Sequence, residues 1–569
     1  MNNAFVAKVF RDIARILEIK ADNPFRIRAY ERAAQNIEGL GEDISNFLKQ
    51  ERLRDIPGVG SDLADKIQEI AQTGKLKFLE DLKKDVPEGI LELLNIPSVG
   101  PKTAKVLYEQ AGIKSIEELQ RAIIKNKLQG IFGIKQKTIE NIQHGIELLK
   151  RGKERMSLAQ ACTLSEEFVH GLKKVPAVRA LSPAGSVRRQ KETVRDIDIL
   201  ITSDSPAKVM DGFLKLPQVT EVIARGLTKS SVRTSGGVQV DCRVVKAKSF
   251  GAALLYFTGS KNFNIKIRQL AIKKGLKINE YGIFKKDKFL AGTTENEVFK
   301  ALGLSYIEPE LREDTGEIEL AKKSALPRLL CLQDIKADFH LHSLWSDGNN
   351  SIRDMANAAQ KKGYSYVAIT DHSQGLKVAG GLSIQELKEK KKEIDSLNKT
   401  LKNFRILFAT EVDIDSQGSL DYKDDVLQGF DIVVAAIHSG FKQSRQQVTK
   451  RIVKACQNKY VHIIAHPTGR LWGERDGYEF DFQEVCKVAH QTNTCLEINS
   501  FPQRLDLDSV HCKAAKERGV KIAISTDAHT VDQLDNMRFG VAVARRGWLT
   551  CDDVLNSLSL EELFKTIKK

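Results

Sequence analysis

Two separate stretches of this 569-residue chain gather side chains that hold metals. In "GSVRRQKETVRDIDILI", residues 185–201, Asp196 and Asp198 stand two apart. On a strand such residues project from one face, so both carboxylates can share divalent cations. A third carboxylate, Asp241 in "VQVDCRVV", lies on another short run of strand character that could lie alongside, completing an all-oxygen site suited to magnesium. Asp-x-Asp alone also arises on solvent-facing strand edges. Ahead of it here come Gly185 and Ser186, a small turn that lets backbone N–H groups approach a triphosphate, and Arg189, which can pair with its oxygens.

The second stretch, "DFHLHSLWSDG" at residues 338–348, carries two histidines and two aspartates, and downstream apolar runs close on further candidates: "YVAITDHS", "IVVAAIHSG", "HIIAHP" and "IAISTDAH". Glu411 closes "RILFATEV" and Asp527 closes "IAIST" in the same way. In a β/α barrel the C-terminal strand ends form the rim where active sites assemble. One histidine at a strand end is more often a hydrogen-bonded core residue than a ligand. So many in register point to a metal cluster, and mixed histidine and carboxylate ligation favours manganese, zinc or iron over magnesium.

These clusters need scaffolds, and the chain is long enough for three or four domains at roughly 150 residues each. From about residue 160 strand patterns mix with helices, as an α/β or α+β unit requires. The polar stretch "EPELREDTGEIELAKKSALPRLL" then reads as a linker. Beyond it short apolar strands alternate with helical segments, the pattern of a wound or barrel α/β domain. The first 150 residues read as short helices broken by glycine turns with an internal repeat: "IPGVGSDLADKI" from Ile56, "IPSVGPKTAKVL" from Ile96, and a weaker copy, "IFGIKQKTIENI", from Ile131. Each turn feeds a helix whose free N–H groups converge, a geometry that suits a phosphate. A lone copy reads equally well as a packing corner. Two copies resemble the helix-hairpin-helix module, which grips the DNA backbone without reading sequence, and make Gly58, Gly60, Gly100 and Lys102 the candidate DNA contacts.

Charge agrees with a polyanion partner. The chain holds 89 Lys and Arg against 74 Asp and Glu, a net +15. Residues 1–150 contribute +2, residues 151–325 contribute +11 and residues 326–569 contribute +2, so the excess falls on the segment that carries the Asp-x-Asp pair. No apolar run reaches membrane-span length, the N-terminus reads as an amphipathic helix and not as a signal peptide, and the eight cysteines form no CxxC pair. A soluble cytoplasmic protein with buried thiols is expected.

"GSVRRQKETVRDID", "VQVDCRVV" and "LYFTGSKNFNIKIRQLAIKKGLKINEYGIF" resemble the palm and nucleotide-selecting subdomain of family X DNA polymerases, and with the hairpins the similarity runs from about residue 1 to 318. The resemblance implies that Asp196 and Asp198 hold two metals, magnesium or manganese, and that Asp241 holds the catalytic one and helps activate the primer 3'-hydroxyl. Gly185, Ser186 and Arg189 would hold the triphosphate. Tyr256 and Phe257, beside Gly259, would wall the sugar pocket, with Asn264 and Arg268 on the minor-groove side. Gln190, Arg195 and Ile265 depart from the family pattern. Lys66 falls on the position of the Schiff-base lysine that removes a 5'-deoxyribose phosphate, with Asp62 where a helper lysine would stand.

From about residue 335 to 569 the chain resembles the PHP (polymerase and histidinol phosphatase) domain, a distorted (β/α)7 barrel that hydrolyses phosphoesters. The implied ligands are His340, His342, Asp347, His372, Glu411, His438, His466, Asp527 and His529. "GRLWGERDGYEFDF" and "EINSFPQRLDL" look like the versions fused to bacterial family X polymerases. The expected organisation is multidomain, α+β and α/β: residues 1–85 and 86–150 helical, each with one hairpin; 151–250 a nucleotidyltransferase palm; 251–318 a nucleotide-selection subdomain or thumb; 319–334 a linker; and 335–569 the barrel. The expected function is gap filling in DNA repair on gapped or nicked duplexes with dNTPs, plus a manganese-, zinc- or iron-dependent 3'-5' exonuclease and an apurinic-site endonuclease, in a monomer at the bacterial nucleoid with no membrane contact. Alternative readings are a nucleotidyltransferase acting on tRNA or small molecules, a barrel that acts on small phosphoesters or only holds structural metal, and a non-catalytic scaffold for DNA ends.

Overall fold

The three copies of the N-terminal repeat close their turns with the same backbone bond. Val59 N–H donates to the Ile56 carbonyl at 3.0 Å, Val99 to Ile96 at 2.9 Å and Ile134 to Ile131 at 3.0 Å. The weak third copy is therefore a structural repeat. The computed structural model describes residues 3–20, 22–38, 44–56, 58–86, 88–96 and 99–568. Gly60 and Gly100 cap the helices Ser61–Thr73 and Pro101–Ala111 without a side-chain hydrogen bond to the first turn. Gly58 sits at φ +79, a conformation that glycine adopts without steric cost. Ile56, Val59, Leu63, Ile96, Val99 and Leu107 turn inward with Phe10, Ile13 and Leu17 of helix Asn3–Ile19, forming one helical core.

The palm is a five-stranded sheet in the order Ala180–Pro183, Asp196–Thr202, Gln239–Val245, Lys229–Thr234, Val219–Arg225. Its pivotal pairing is parallel, Asp196–Thr202 beside Gln239–Val245. Alternation turns Ile197, Ile199 and Ile201 into the core, so the intervening Asp198 points to the other face. Helices Phe250–Thr258 and Lys261–Lys273 and a three-stranded antiparallel sheet follow. This unit is bolted to the palm by a buried carboxylate, Glu295, which pairs with Arg188 at 2.6 Å and with the fully buried Arg312 at 2.5 Å.

The C-terminal half is a seven-stranded parallel sheet in sequence order: Ala337–Leu341, Tyr366–Ile369, Arg405–Asp413, Ile432–Ala436, Ile463–Ile464, Cys495–Asn499, Ile522–Ser525. The first strand meets the residues after the last one, with a parallel bridge between Leu341 and Ala528 and His342 N–H donating to the Ala528 carbonyl at 2.9 Å, so the sheet curls into a nearly closed (β/α)7 barrel. Alternation divides its side chains. Phe339, Tyr366, Ala368, Leu407 and Val434 fill an interior cluster with Leu563 and Ile567, from helix Leu560–Thr566 and the residue after it, while Val367, Ile369, Ile406 and Val433 face the surrounding helices.

The polar stretch expected as a linker is not a free tether. Arg312 and Glu317 are fully buried, residues Glu317–Lys322 form a helix, and Leu329 and Leu330 join apolar cores. Its charges are paired within the fold: Glu317 accepts from the Asp314 and Thr315 N–H groups at 2.8 and 2.7 Å, and Glu310 pairs with Arg545 at 2.7 Å. No helix among the described residues is long and apolar enough to cross a membrane. Five of the eight cysteines are buried.

Two candidate metal centres

The parallel register of the palm sets Asp198 directly beside Asp241, with Asp196 beside Gln239, so all three predicted carboxylates lie at one end of adjacent strands. Asp198 is pushed up to about 7 by its burial and by the charges of Asp196 and Asp241. Such repulsion is what cations relieve. Asp241 is turned toward protein partners, Lys229 Nζ at 3.4 Å and Gln239 Nε2 at 2.9 Å, and the three carboxylates do not form a group whose oxygens all lie within 4.8 Å. The donor set fits a hard cation such as magnesium or manganese.

Gly185, at φ +62, lies against Asp198 so closely that a Cβ there would come within 2.3 Å of Oδ2. Ser186 follows it on the short helix Gly185–Arg188. Arg189 is engaged elsewhere: its Nε donates to Glu313 Oε1 at 3.0 Å and its Nη1 to the Thr258 carbonyl. Tyr256 and Phe257 meet edge to face at 5.1 Å, the Arg268 guanidinium sits over Tyr256 at 5.7 Å, and Arg243 sits over Phe257 at 4.6 Å. Asn264 is buried and donates to the Tyr256 carbonyl at 2.7 Å, fixing the backbone of the expected sugar wall; Gly259 ends that helix. In the N-terminal region Lys66 is largely buried, lies 5.3 Å above the Phe78 ring and is ion-paired with Asp62, one turn earlier on the same helix.

In the barrel all nine predicted ligands come to one rim. Eight of them form three overlapping groups: His342, Asp347, His372 and His529; His340, His342 and Asp527; and His372, Glu411 and His438; the ninth, His466, joins through Glu411. Glu411 is the hub, 2.8 Å from His372 Nδ1, 3.1 Å from His466 Nε2, 3.2 Å from His438 Nε2 and 3.3 Å from His340 Nε2. Burial pushes Glu411 up, but His340, His372 and His438 outweigh it and hold the carboxyl well below its ordinary range. Burial and the neighbouring His529 and His372 lower His342 to about 4, which keeps its ring neutral. His340 Nε2, both ring nitrogens of His342, His372 Nδ1 and His466 Nδ1 are buried without a properly oriented hydrogen-bond partner. Orphaned buried nitrogens are costly unless something else takes their lone pairs, and a borderline transition metal does so.

Residues that the sequence reading missed orient these ligands. Glu497 takes His340 Nδ1 at 2.8 Å and the His466 N–H at 2.7 Å, and Asp413 takes His438 Nδ1 at 3.2 Å. Asn499 donates to Asp527 at 3.0 Å. Such partners fix ring orientation and raise ligand basicity. The available signal was an acid inside the apolar run "CLEIN", where a strand buried on both faces has no use for one.

Comparison with known proteins covers both halves. Family models match a helix-hairpin-helix domain at residues 1–76, a SAM-like helix-hairpin-helix tandem at 90–147, a DNA polymerase beta thumb at 253–313 and a PHP domain at 338–501. DNA polymerase lambda of Rattus norvegicus is 28% identical over 345 residues, 55% of this chain and 56% of that protein. A probable phosphatase of Thermoanaerobacter sp. is 32% identical over 232 residues, 39% of this chain and 89% of the phosphatase. The DNA polymerase/3'-5' exonuclease PolX of Bacillus subtilis is 42% identical over 573 residues, covering the full length of both. With both halves matched in one relative from end to end, the chain belongs to the PolX family of bacterial family X DNA polymerases that carry a C-terminal PHP domain.

Proposed function

We propose that this enzyme, a DNA polymerase and 3'-5' exonuclease by family, divides its two activities between its two centres, the palm filling short gaps during DNA repair and the barrel shortening 3' ends. The carrying observation is that the two constellations share no residue and differ in donor chemistry, oxygen only in the palm and histidine with carboxylate in the barrel. In the palm, Asp196, Asp198 and Asp241 hold magnesium or manganese, which supplies charge stabilisation to the attacking and leaving oxygens of an in-line displacement. Asp241, once exchanged from Lys229 and Gln239, would help activate the primer 3'-hydroxyl by accepting its proton. Gly185, Ser186 and Arg189 bind the dNTP triphosphate, and Tyr256 and Phe257 shape the sugar pocket, with Arg268 reaching the new base pair. In the barrel the nine ligands hold manganese, zinc or iron, which lets water act as a nucleophile near neutral pH. Glu497 and Asp413 keep the imidazoles aimed. The hairpins, through Gly58, Gly60, Gly100 and Lys102, hold gapped or nicked DNA by its phosphates, so binding should weaken with salt. We place the protein in the bacterial cytoplasm as a monomer.

The test is a 5'-labelled primer on one-nucleotide-gapped DNA, with and without dNTPs, in magnesium and then manganese. Extension with dNTPs and stepwise shortening without them support the reading. A folded protein that shortens the primer but never extends it would leave the palm as a binding platform. A second reading follows from the phosphatase similarity, which spans the barrel and covers most of that relative: the barrel hydrolyses small phosphoesters. Turnover of a chromogenic phosphate monoester with an untouched DNA 3' end would favour it.

A further inference from the structure

The C-terminal half also reaches the nucleotide side of the palm. Helix Met537–Arg546 ends in two arginines. Arg545 pairs with Glu310 at 2.7 Å and donates to the Leu330 carbonyl at 3.0 Å, fastening the end of the thumb. Arg546, whose side chain is only 6% exposed, lies against the turn that follows Gly185–Arg188. Its Nη1 donates to the Arg189 carbonyl at 2.8 Å and to Glu313 Oε1 at 3.2 Å, and its Nε faces Glu192 Oε2 at 3.9 Å. Glu192 also accepts from the Ser509 N–H at 3.2 Å, a second contact from the barrel half to the same turn.

Glu313 is the carboxylate that holds Arg189 in this structure, and Lys191 Nζ lies 3.7 Å from it. Burial pushes Glu313 up, but Arg189, Arg546 and Lys191 together outweigh it and leave the carboxyl below its ordinary range. We propose that Arg546 is a positioning residue for nucleotide binding: it keeps Glu313 paired so that Arg189 can exchange that carboxylate for an incoming triphosphate. This rests on the reading of Arg189 as a triphosphate ligand. A largely enclosed carboxylate that loses its close partner is penalised, and without Arg546 Glu313 would keep only Lys191, 3.7 Å away and more exposed, so it would give up Arg189 less readily. With Arg546 in place Glu313 is ion-paired both before and after the exchange, and the Arg189 backbone stays pinned while its side chain swings. The barrel half would thereby set nucleotide affinity in the palm without touching the nucleotide.

The test is single-turnover gap filling by the full-length protein over a dNTP titration, which separates dNTP Kd from the maximal rate. Arg546→Gln should raise Kd about tenfold, a change of about 1.4 kcal/mol, with the maximal rate nearly unchanged. Arg546→Lys should restore part of the loss. In a Glu313→Gln background, where Arg189 has no carboxylate to leave, Arg546→Gln should add less than about twofold. An Arg546→Gln Kd within about twofold of wild type overturns the proposal, and so does an equal penalty with and without Glu313, which would make Arg546 a structural bolt. Arg189→Ala serves as the premise control. If it leaves Kd unchanged, the triphosphate reading itself fails; if it weakens binding while Arg546→Gln does not, only the exchange mechanism fails. Should Arg546→Gln not fold, Arg546→Lys carries the same cycle with a smaller rise in Kd that Glu313→Gln must erase.

Discussion

Replacing Gly185 by alanine should cripple nucleotide addition through a single carboxylate. The new Cβ would lie 2.3 Å from Asp198 Oδ2 and 3.3 Å from its Cγ, whereas real Cβ atoms essentially never approach within 3.0 Å. Asp198 therefore has to move by roughly 1 Å, since comfortable contact lies at about 3.5 Å. Alanine at φ +62 also carries roughly 1 kcal/mol of backbone strain. A misplacement of about 1 Å in a group that positions reacting atoms costs on the order of 100-fold, or about 2.7 kcal/mol of transition-state stabilisation. Gap filling under single-turnover conditions should thus fall about 100-fold, with the thermal midpoint only slightly lower. Shortening of the 3' end, measured on the same preparation, should stay near wild type, because no barrel ligand moves. A gap-filling rate within about threefold of wild type would show that Asp198 tolerates displacement and would refute this account of the Gly185 contact.

Glu295→Gln should destabilise the polymerase half by about 3 kcal/mol, because burial opposes its ionisation but Arg188 and Arg312 outweigh it and bring the carboxyl down to about 2 from an ordinary 4.5. Its folded value is depressed, so this stability is present above the ordinary value and lost as pH falls toward the folded one; chemical denaturation at pH 7 and pH 3 should show the variant's deficit shrinking in acid. Tyr256→Ala should admit ribonucleotides more readily by opening the wall beside the sugar, which parallel rNTP and dNTP titrations would read; an unchanged ratio removes Tyr256 from sugar selection. Borohydride trapping on 5'-deoxyribose phosphate DNA should rise in Asp62→Ala, which frees Lys66 from its ion pair, and vanish in Lys66→Ala; equal trapping in Lys66→Ala would exclude that lysine as the imine former.

The barrel ligands were legible because strand ends announce themselves: each apolar run stops on a histidine or acid, and the fold collects those ends on one rim. Glu497 and Asp413 were not, since an acid within a buried strand carries no mark of which distant imidazole it meets. In the palm, Asp-x-Asp gave the shared face, but the neighbourhood of Asp198 and Asp241 depends on a parallel pairing that skips the intervening hairpin, and chain order does not dictate it. Arg189 reads in the sequence as a phosphate-binding arginine, and nothing near it announces its partner in this structure, Glu313, 124 residues away. The same blindness to distant pairing made residues 308–330 look like a solvated linker, because a run of charges reads as surface until its partners are known.

The independence of the two metal centres is best measured with a reciprocal pair of variants assayed for both reactions on the same gapped DNA. Asp198→Ala removes a palm ligand, and His340→Ala with His342→Ala strips two of the three barrel groups. Circular dichroism confirms folding, and a manganese titration accompanies each assay. Asp198→Ala should abolish gap filling and leave 3'-end degradation near wild type, and the histidine pair should do the reverse. Loss of both activities in either folded variant, or wild-type degradation by the histidine pair at every manganese concentration, would contradict that independence.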